Sequence, residues 1–232
     1  QLGALSTTNI TALNTTQVGG LSSTQLGSLT ATNLSALDAT QVGTLTTTQV
    51  AGFTTTQLRG LNATDFSELT STQIGALSST QLGSLTATNF SALDATTVSA
   101  LTTTQLRGLT TTQIGGLSTT DANEFTATQI GALASTQLAA LSATNLSALD
   151  ATQVGGLTTT QVAGLSVTQV RSLSATDIGE LSTTQLGALT STQIGNLAAT
   201  SFSALNSTKV SALTTTQLRG LTTTQVGGLS TT

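Results

Sequence analysis

Leu45-Thr46-Thr47-Thr48-Gln49-Val50-Ala51-Gly52 is the sentence from which the whole chain is written. Leu or Phe recurs at every eighth position from Leu5 to Leu229, and the frame holds across 29 appearances. A fixed period this short marks a solenoid or fibre, in which a small unit is stacked until neighbours bury each other's apolar positions. The spacing inside the octad says what the unit is. With Leu as position one, position two is Ser, Thr, Asn or Asp in 27 of 29 octads, the exceptions being Ala134 and Ala198. Those four types are the preferred helix N-caps, because their short side chains accept from an orphan amide of the first turn. Three places later, position five is mostly Gln, otherwise usually Asn or Asp, which gives the S/T-x-x-Q spacing of a capping box, as in Thr46 with Gln49. Position one then precedes the cap, and position six, which is Val, Ile, Leu or Phe except at Ala122, becomes the fourth helical residue. Those two places form a hydrophobic staple.

Positions seven and eight are mostly Gly, Ala or Ser, which end the turn and let another backbone come close. Each octad therefore encodes a helix start with almost no helix behind it. One continuous helix is a poor alternative, since eight residues advance ~800° and the Leu column would drift ~80° per repeat. A single helix this short does not survive in water, so neighbouring octads must stabilise one another. The pattern predicts an all-α repeat solenoid of very short capped helices, one per octapeptide, running as a single array over residues 1–232. A β-solenoid is the rival, because Thr and Val favour strands. Positions one and six have opposite parity in a strand, however, and both point inward only if a turn or bulge intervenes. The helical reading accounts for more columns.

Composition narrows the function. The chain lacks Cys, His, Trp, Tyr, Met and Pro, and only 6% of its residues are charged. A hydrophobic share of 37% with strict spacing opposes the signature of disorder. The five cations, Arg59, Arg107, Arg171, Lys209 and Arg219, are scattered singly, and the net charge is −4. Phosphate binding needs a basic stripe, so nucleic acid is not an expected partner. No apolar run approaches the ~20 residues of a membrane span. The chain opens at Gln1 in mid-repeat, which suggests a segment of a longer repeat protein.

Several columns carry more detail. Position four is Thr in all 29 octads, from Thr8 to Thr232, although positions two and three exchange Ser, Thr and Ala. One reading is structural: the methyl packs while the hydroxyl bonds a neighbouring backbone group. The other is that the column carries O-linked sugar, with Thr8, Thr16, Thr24, Thr32, Thr40 and Thr48 as candidates. Asn-x-Ser/Thr triplets at Asn9, Asn14, Asn33, Asn62, Asn89, Asn145 and Asn206 arise from composition alone in a chain so rich in Ser and Thr. A second period of 56 residues, seven octads, separates Asp38, Asp94 and Asp150, and again Asp65, Asp121 and Asp177. Glu68, Glu124 and Glu180 follow the latter three residues on. Arg59 precedes Asp65 and Glu68 as if to pair with them at the surface. Ala122 is small where its column is large, and Phe125 replaces the next Leu as a compensating neighbour.

Catalysis is hard to assemble from this alphabet, because without His or Cys the hydroxyls have no base beside them. The chain reads as non-enzymatic. The Asp65/Glu68 type of pair reads as a capping Asp with a solvated Glu, and Gly-Gly pairs such as Gly19-Gly20 lack the Lys of a phosphate loop. No catalytic residue, metal site or cofactor is expected.

The Leu-Thr-Thr-Thr-Gln-Val/Ile-x-x sentence resembles octapeptide arrays of very long bacterial surface or secreted proteins of adhesin-like or filament-forming kind. The likeness spans the whole chain, and it implies an extracellular or cell-surface placement. The corresponding function is a structural rod or filament subunit that shows a Thr-, Ser- and Gln-rich, O-glycosylated surface and associates with itself into a fibre. Alternatives are an adhesin stalk or a module that binds a repetitive ligand such as polysaccharide or ice.

Overall fold

A computed structural model describes residues 2–228. Among these, a 3-10 turn at Leu2–Ala4 is followed by 28 α-helices of four to six residues, one per octad, and there is no strand. The β-solenoid alternative falls, and the all-α solenoid of short capped helices stands. The coils divide into two compact units, Gln1–Gly116 and Leu117–Thr232, built from the same octad.

The octad 45–52 shows how the local code works. Thr46 sits in extended backbone (φ −74°, ψ 159°) as the cap of the helix Thr47–Ala51. The Gln49 N–H donates to Thr46 Oγ1 at 3.3 Å, and the Thr46 N–H donates to Gln49 Oε1 at 2.7 Å. Two of the orphan amides of the first turn are thereby satisfied within four residues. At the other end, the Gly52 and Phe53 N–H groups donate to the carbonyls of Gln49 and Val50, both at 3.0 Å, so the last turn tightens and the chain leaves in extended form. No described glycine has a positive φ, so these turns do not need glycine for its conformational freedom.

Its use is close approach. A Cβ on Gly27 would stand 2.9 Å from the Gly52 carbonyl oxygen, and one on Gly108 would run into the Ser79 carbonyl. Gly43 and Gly155, in comparable places, face open space.

The coil closes where a side chain reaches the turn below. Gln49 Nε2 donates to the Leu21 carbonyl at 2.6 Å, 28 residues back. The same separation recurs in the first unit at Gln57 and Leu29, Gln73 and Leu45, and Gln113 and Leu85. In the second unit it recurs at Gln153 and Phe125, Gln185 and Leu157, and Gln225 and Leu197. A coil is thus 28 residues, three and a half octads, and helices three places apart pack together, as Ser79–Ser84 does on Thr103–Arg107. The 56-residue super-period of the sequence is two coils.

Positions one and six form the core. Leu101 is 4% exposed, Val162 is fully buried, and the columns lose this burial only in the first and last coils. Each such side chain contributes about 1.5–3 kcal/mol on leaving water, which offsets the ordering of a helix too short to stand alone. Ala122 and Phe125 are both buried, and Gln153 Nε2 donates to both of their carbonyls, at 3.2 and 2.6 Å.

Candidate functional site

Position five decides what the surface can be. Glutamine has an acceptor and a donor at the two corners of one amide. Its Oε1 closes the capping box inside the octad while its Nε2 satisfies a Leu carbonyl of the neighbouring coil. Both jobs turn it inward: Gln57, Gln113, Gln161 and Gln169 are each 2% exposed. The expected Gln-rich surface is therefore wrong, because a residue recruited to cap a helix is also the one that lies against the next coil.

Shorter residues at this position do one job. Asn33, Asn89 and Asn145 make no capping box, but each donates through Nδ2 to the Leu carbonyl 28 residues back, at 2.7–2.8 Å. They are buried, so these three triplets offer no accessible amide for a sugar. Ser201 Oγ donates to the Leu173 carbonyl at 2.9 Å, and Lys209 Nζ reaches the carbonyls of Ile178 and Gly179. The two Ala caps lack the side-chain bond, although the Ala134 N–H still donates to Gln137 Oε1 at 2.8 Å.

With Gln withdrawn, the face left to solvent is hydroxyl-rich. Position-four threonine is exposed in every described octad, including all six candidates Thr8, Thr16, Thr24, Thr32, Thr40 and Thr48. It occupies the second helical position, beyond the cap, and among the described residues its hydroxyl bonds no neighbouring coil. The hydroxyl half of the structural reading, a bond to a neighbouring backbone group, does not hold among the described residues. Thr232 lies outside the described residues.

The charges have an order that the linear sequence conceals. Counted in coils of 28, the acidic residues of each unit fall in one narrow slot: Asp38, Asp65, Glu68 and Asp94 in the first unit, and Asp121, Glu124, Asp150, Asp177 and Glu180 in the second. Asp65 Oδ2 accepts from Ser35 Oγ, and Asp177 Oδ2 accepts from Ser147 Oγ at 2.5 Å, so a hydroxyl of the coil below replaces the missing amide donor. Burial, then Asp65, then Asp38 raise the Glu68 carboxyl above its ordinary range. Burial, Asp177 and Asp150 do the same to Glu180, whose Oε2 is shielded from solvent and hydrogen-bonds nothing. Asp94 moves the other way, held low by the Thr97 backbone amide that it caps and by the Thr97 side chain. Arg59 is exposed beside Thr55, Gly83 and Gly108 on a shallow groove, a solvated face and not a pair with Asp65 and Glu68. Only half the super-period, 28 residues, would have revealed the acidic slot in advance.

The enclosed space between Leu34, Val42, Phe53 and Glu68 measures about 10 Å³, room for one water at most. Among the described residues, no three acidic side chains are grouped to hold a metal ion, and no helix is long and apolar enough to cross a membrane.

The chain matches no curated protein. Residues 1–31, 130–167 and 167–199 match the ALTTAQ repeat family, which agrees with the octad array seen in the fold. By sequence and by architecture, the chain is a repeat-array protein.

Proposed function

We propose that the chain is a structural extracellular component, a rod or filament segment that works through its length and through the Thr- and Ser-rich surface it displays. One observation carries the reading: the apolar columns and the Gln column turn inward, while position-four Thr is exposed in every described octad. A residue repeated without exception and left open to solvent is expected to be read from outside. O-linked sugar on Thr8, Thr16, Thr24, Thr32, Thr40 and Thr48 and their counterparts is the modification that suits an exposed hydroxyl on each repeat. The role is non-enzymatic, in keeping with a chain that has neither His nor Cys.

The repetitive-ligand alternative is weaker. Seven octads span two coils, so successive Thr residues point in different directions around the coil rather than along one flat face.

Intact-mass measurement and peptide mapping of native material, together with labelling of unbroken cells, test the proposal. Hexose or hexosamine increments on position-four Thr, with surface labelling, support it. A bare mass and a purely internal signal overturn it.

A further inference from the structure

We propose that Asn62, and with it Asn14 and Asn206, is an acceptor for N-linked sugar, selected by the place of the asparagine in its octad. The inference rests on the extracellular reading above, since it needs a transferase and a sugar donor on the chain's route.

Composition explains why Asn-x-Ser/Thr triplets are frequent in this chain, and the fold separates them into two kinds. At position five, Asn33, Asn89 and Asn145 commit the amide nitrogen to the coil below, where it donates to the carbonyls of Leu5, Leu61 and Leu117. A sugar on that nitrogen would have to break a buried link between coils. At position two the amide is used from its other corner. Asn62 Oδ1 accepts the Asp65 N–H at 3.0 Å and so caps the helix Ala63–Ser67. Asn14 Oδ1 accepts from the Gln17 N–H at 2.9 Å, and Asn206 Oδ1 from the Lys209 N–H at 3.0 Å. Among the described residues, none of these three Nδ2 groups donates a hydrogen bond, and all three side chains are exposed. Position two is exposed in the body of each unit as well, at Thr46 and Ser174, so the exposure belongs to the position.

The rest of the triplet is in place. The residue two places on is position-four Thr each time, Thr16, Thr64 and Thr208, and each is exposed. At these octads the invariant hydroxyl completes the recognition triplet for a transferase. In the transfer, Nδ2 attacks C1 of a sugar diphosphate. The N–C1 bond forms, the bond from C1 to the diphosphate oxygen breaks, and the diphosphate leaves with the electron pair. One Nδ2 proton passes to a base of the transferring enzyme. The product keeps Oδ1, and with it the cap, so position two tolerates the sugar that position five excludes.

The test is peptide mapping of native material treated with an amidase that releases N-linked sugar and leaves aspartate, run in heavy-oxygen water against a control without the amidase. Label is expected at Asn62, Asn14 and Asn206 and at none of Asn33, Asn89 and Asn145. In the native host, Thr64→Val should abolish the label at Asn62, and Thr64→Ser should retain it. Asn62→Ser installs the cap already used at Ser118 and Ser174, 56 and 112 residues on, and should remove the label while leaving the melting temperature unchanged. A bare Asn62, or label at Asn33 in the folded chain, would overturn the inference. Sugar released from position-four Thr by alkaline elimination, with Asn62 bare, would overturn the inference alone. A chain bare at both, with a purely internal signal, would overturn the extracellular reading with it.

Discussion

Octads 61–68 and 69–76 are neighbours that use position five in opposite ways. Gln73 accepts the Thr70 N–H at 2.8 Å and donates to the Val42 and Leu45 carbonyls at 2.9 and 2.8 Å. Asp65 accepts the Asn62 N–H at 3.1 Å but has nothing to donate, and takes the Ser35 hydroxyl instead. The cap is common to both, and the link between coils is inverted. The lesson is that the octad carries two separable functions, local closure and coil-to-coil locking, and that only Gln performs both. Where Asp enters, locking is kept by a compensating hydroxyl, and a column of carboxylates accumulates beside Asp38 and Glu68.

The comparison breaks most severely through the core that both octads share. Val162→Asp places an unpaired charge where the native side chain is fully buried and should cost about 3–5 kcal/mol. Limited proteolysis should open that coil, and unchanged resistance would mean that position six is not interior. Next comes the Gln itself. Gln161→Ala removes the acceptor for the Thr158 N–H and the donor to the Ile130 and Leu133 carbonyls, a loss of about 2–3 kcal/mol in denaturant titration. Gln161→Glu keeps the box acceptor but turns a buried carboxylate on the Ile130 and Leu133 carbonyls, so it should cost at least as much as Gln161→Ala. A clearly smaller loss for Glu would show that the box outweighs the link between coils.

The Asp octad is expected to be more forgiving. Ser35→Ala removes one of the two donors to Asp65 Oδ2, leaving the Asn62 N–H, on a partly exposed site and should cost about 1 kcal/mol. Adding Asp65→Gln in that background should recover the loss by restoring an amide donor.

The smallest effect is that of pH. Glu68 and Glu180 have folded-state carboxyls raised above 4.5, so the folded chain binds protons more tightly than the unfolded chain there. Stability should therefore rise as pH falls from neutral through those raised values toward 4.5. Asp94, lowered from 3.8, adds stability that is present above that value and is lost as pH falls further. Glu68→Gln should flatten the first rise, measured as melting temperature against pH. An unaltered profile would separate the acidic column from the pH response.

What the sequence disclosed and what it withheld follow from range. Cap, box and staple lie within five residues of each other, and Thr46, Gln49 and Val50 can be assigned without knowing where any other octad sits. The second bond of Gln49, to Leu21, depends on how many octads make a coil, and that number is set by helix packing rather than by any local preference. For the same reason the Gln column was expected at the surface and lies inside. The 56-residue spacing of Asp38 and Asp94 held the answer in doubled form. A whole number of octads returns to the same place on the coil only after two turns, so the visible repeat is twice the physical one. The glycines were legible in kind but not in place: the sequence implied a close backbone approach, and only the next coil shows that it falls at Gly27 and Gly108 and not at Gly43 or Gly155.

The half-integral coil also governs how the chain bears load. Each coil is tied to the next by amide-to-carbonyl bonds such as Gln185 to Leu157 and Gln217 to Leu189, spread around the turn rather than gathered at one seam. A pull along the chain must release those bonds and their apolar layer together before the 28 residues between partners are freed. Fully extended, such a length yields ~90–100 Å of slack. Under tension the array would therefore give way in steps of one coil, each releasing the same length of chain.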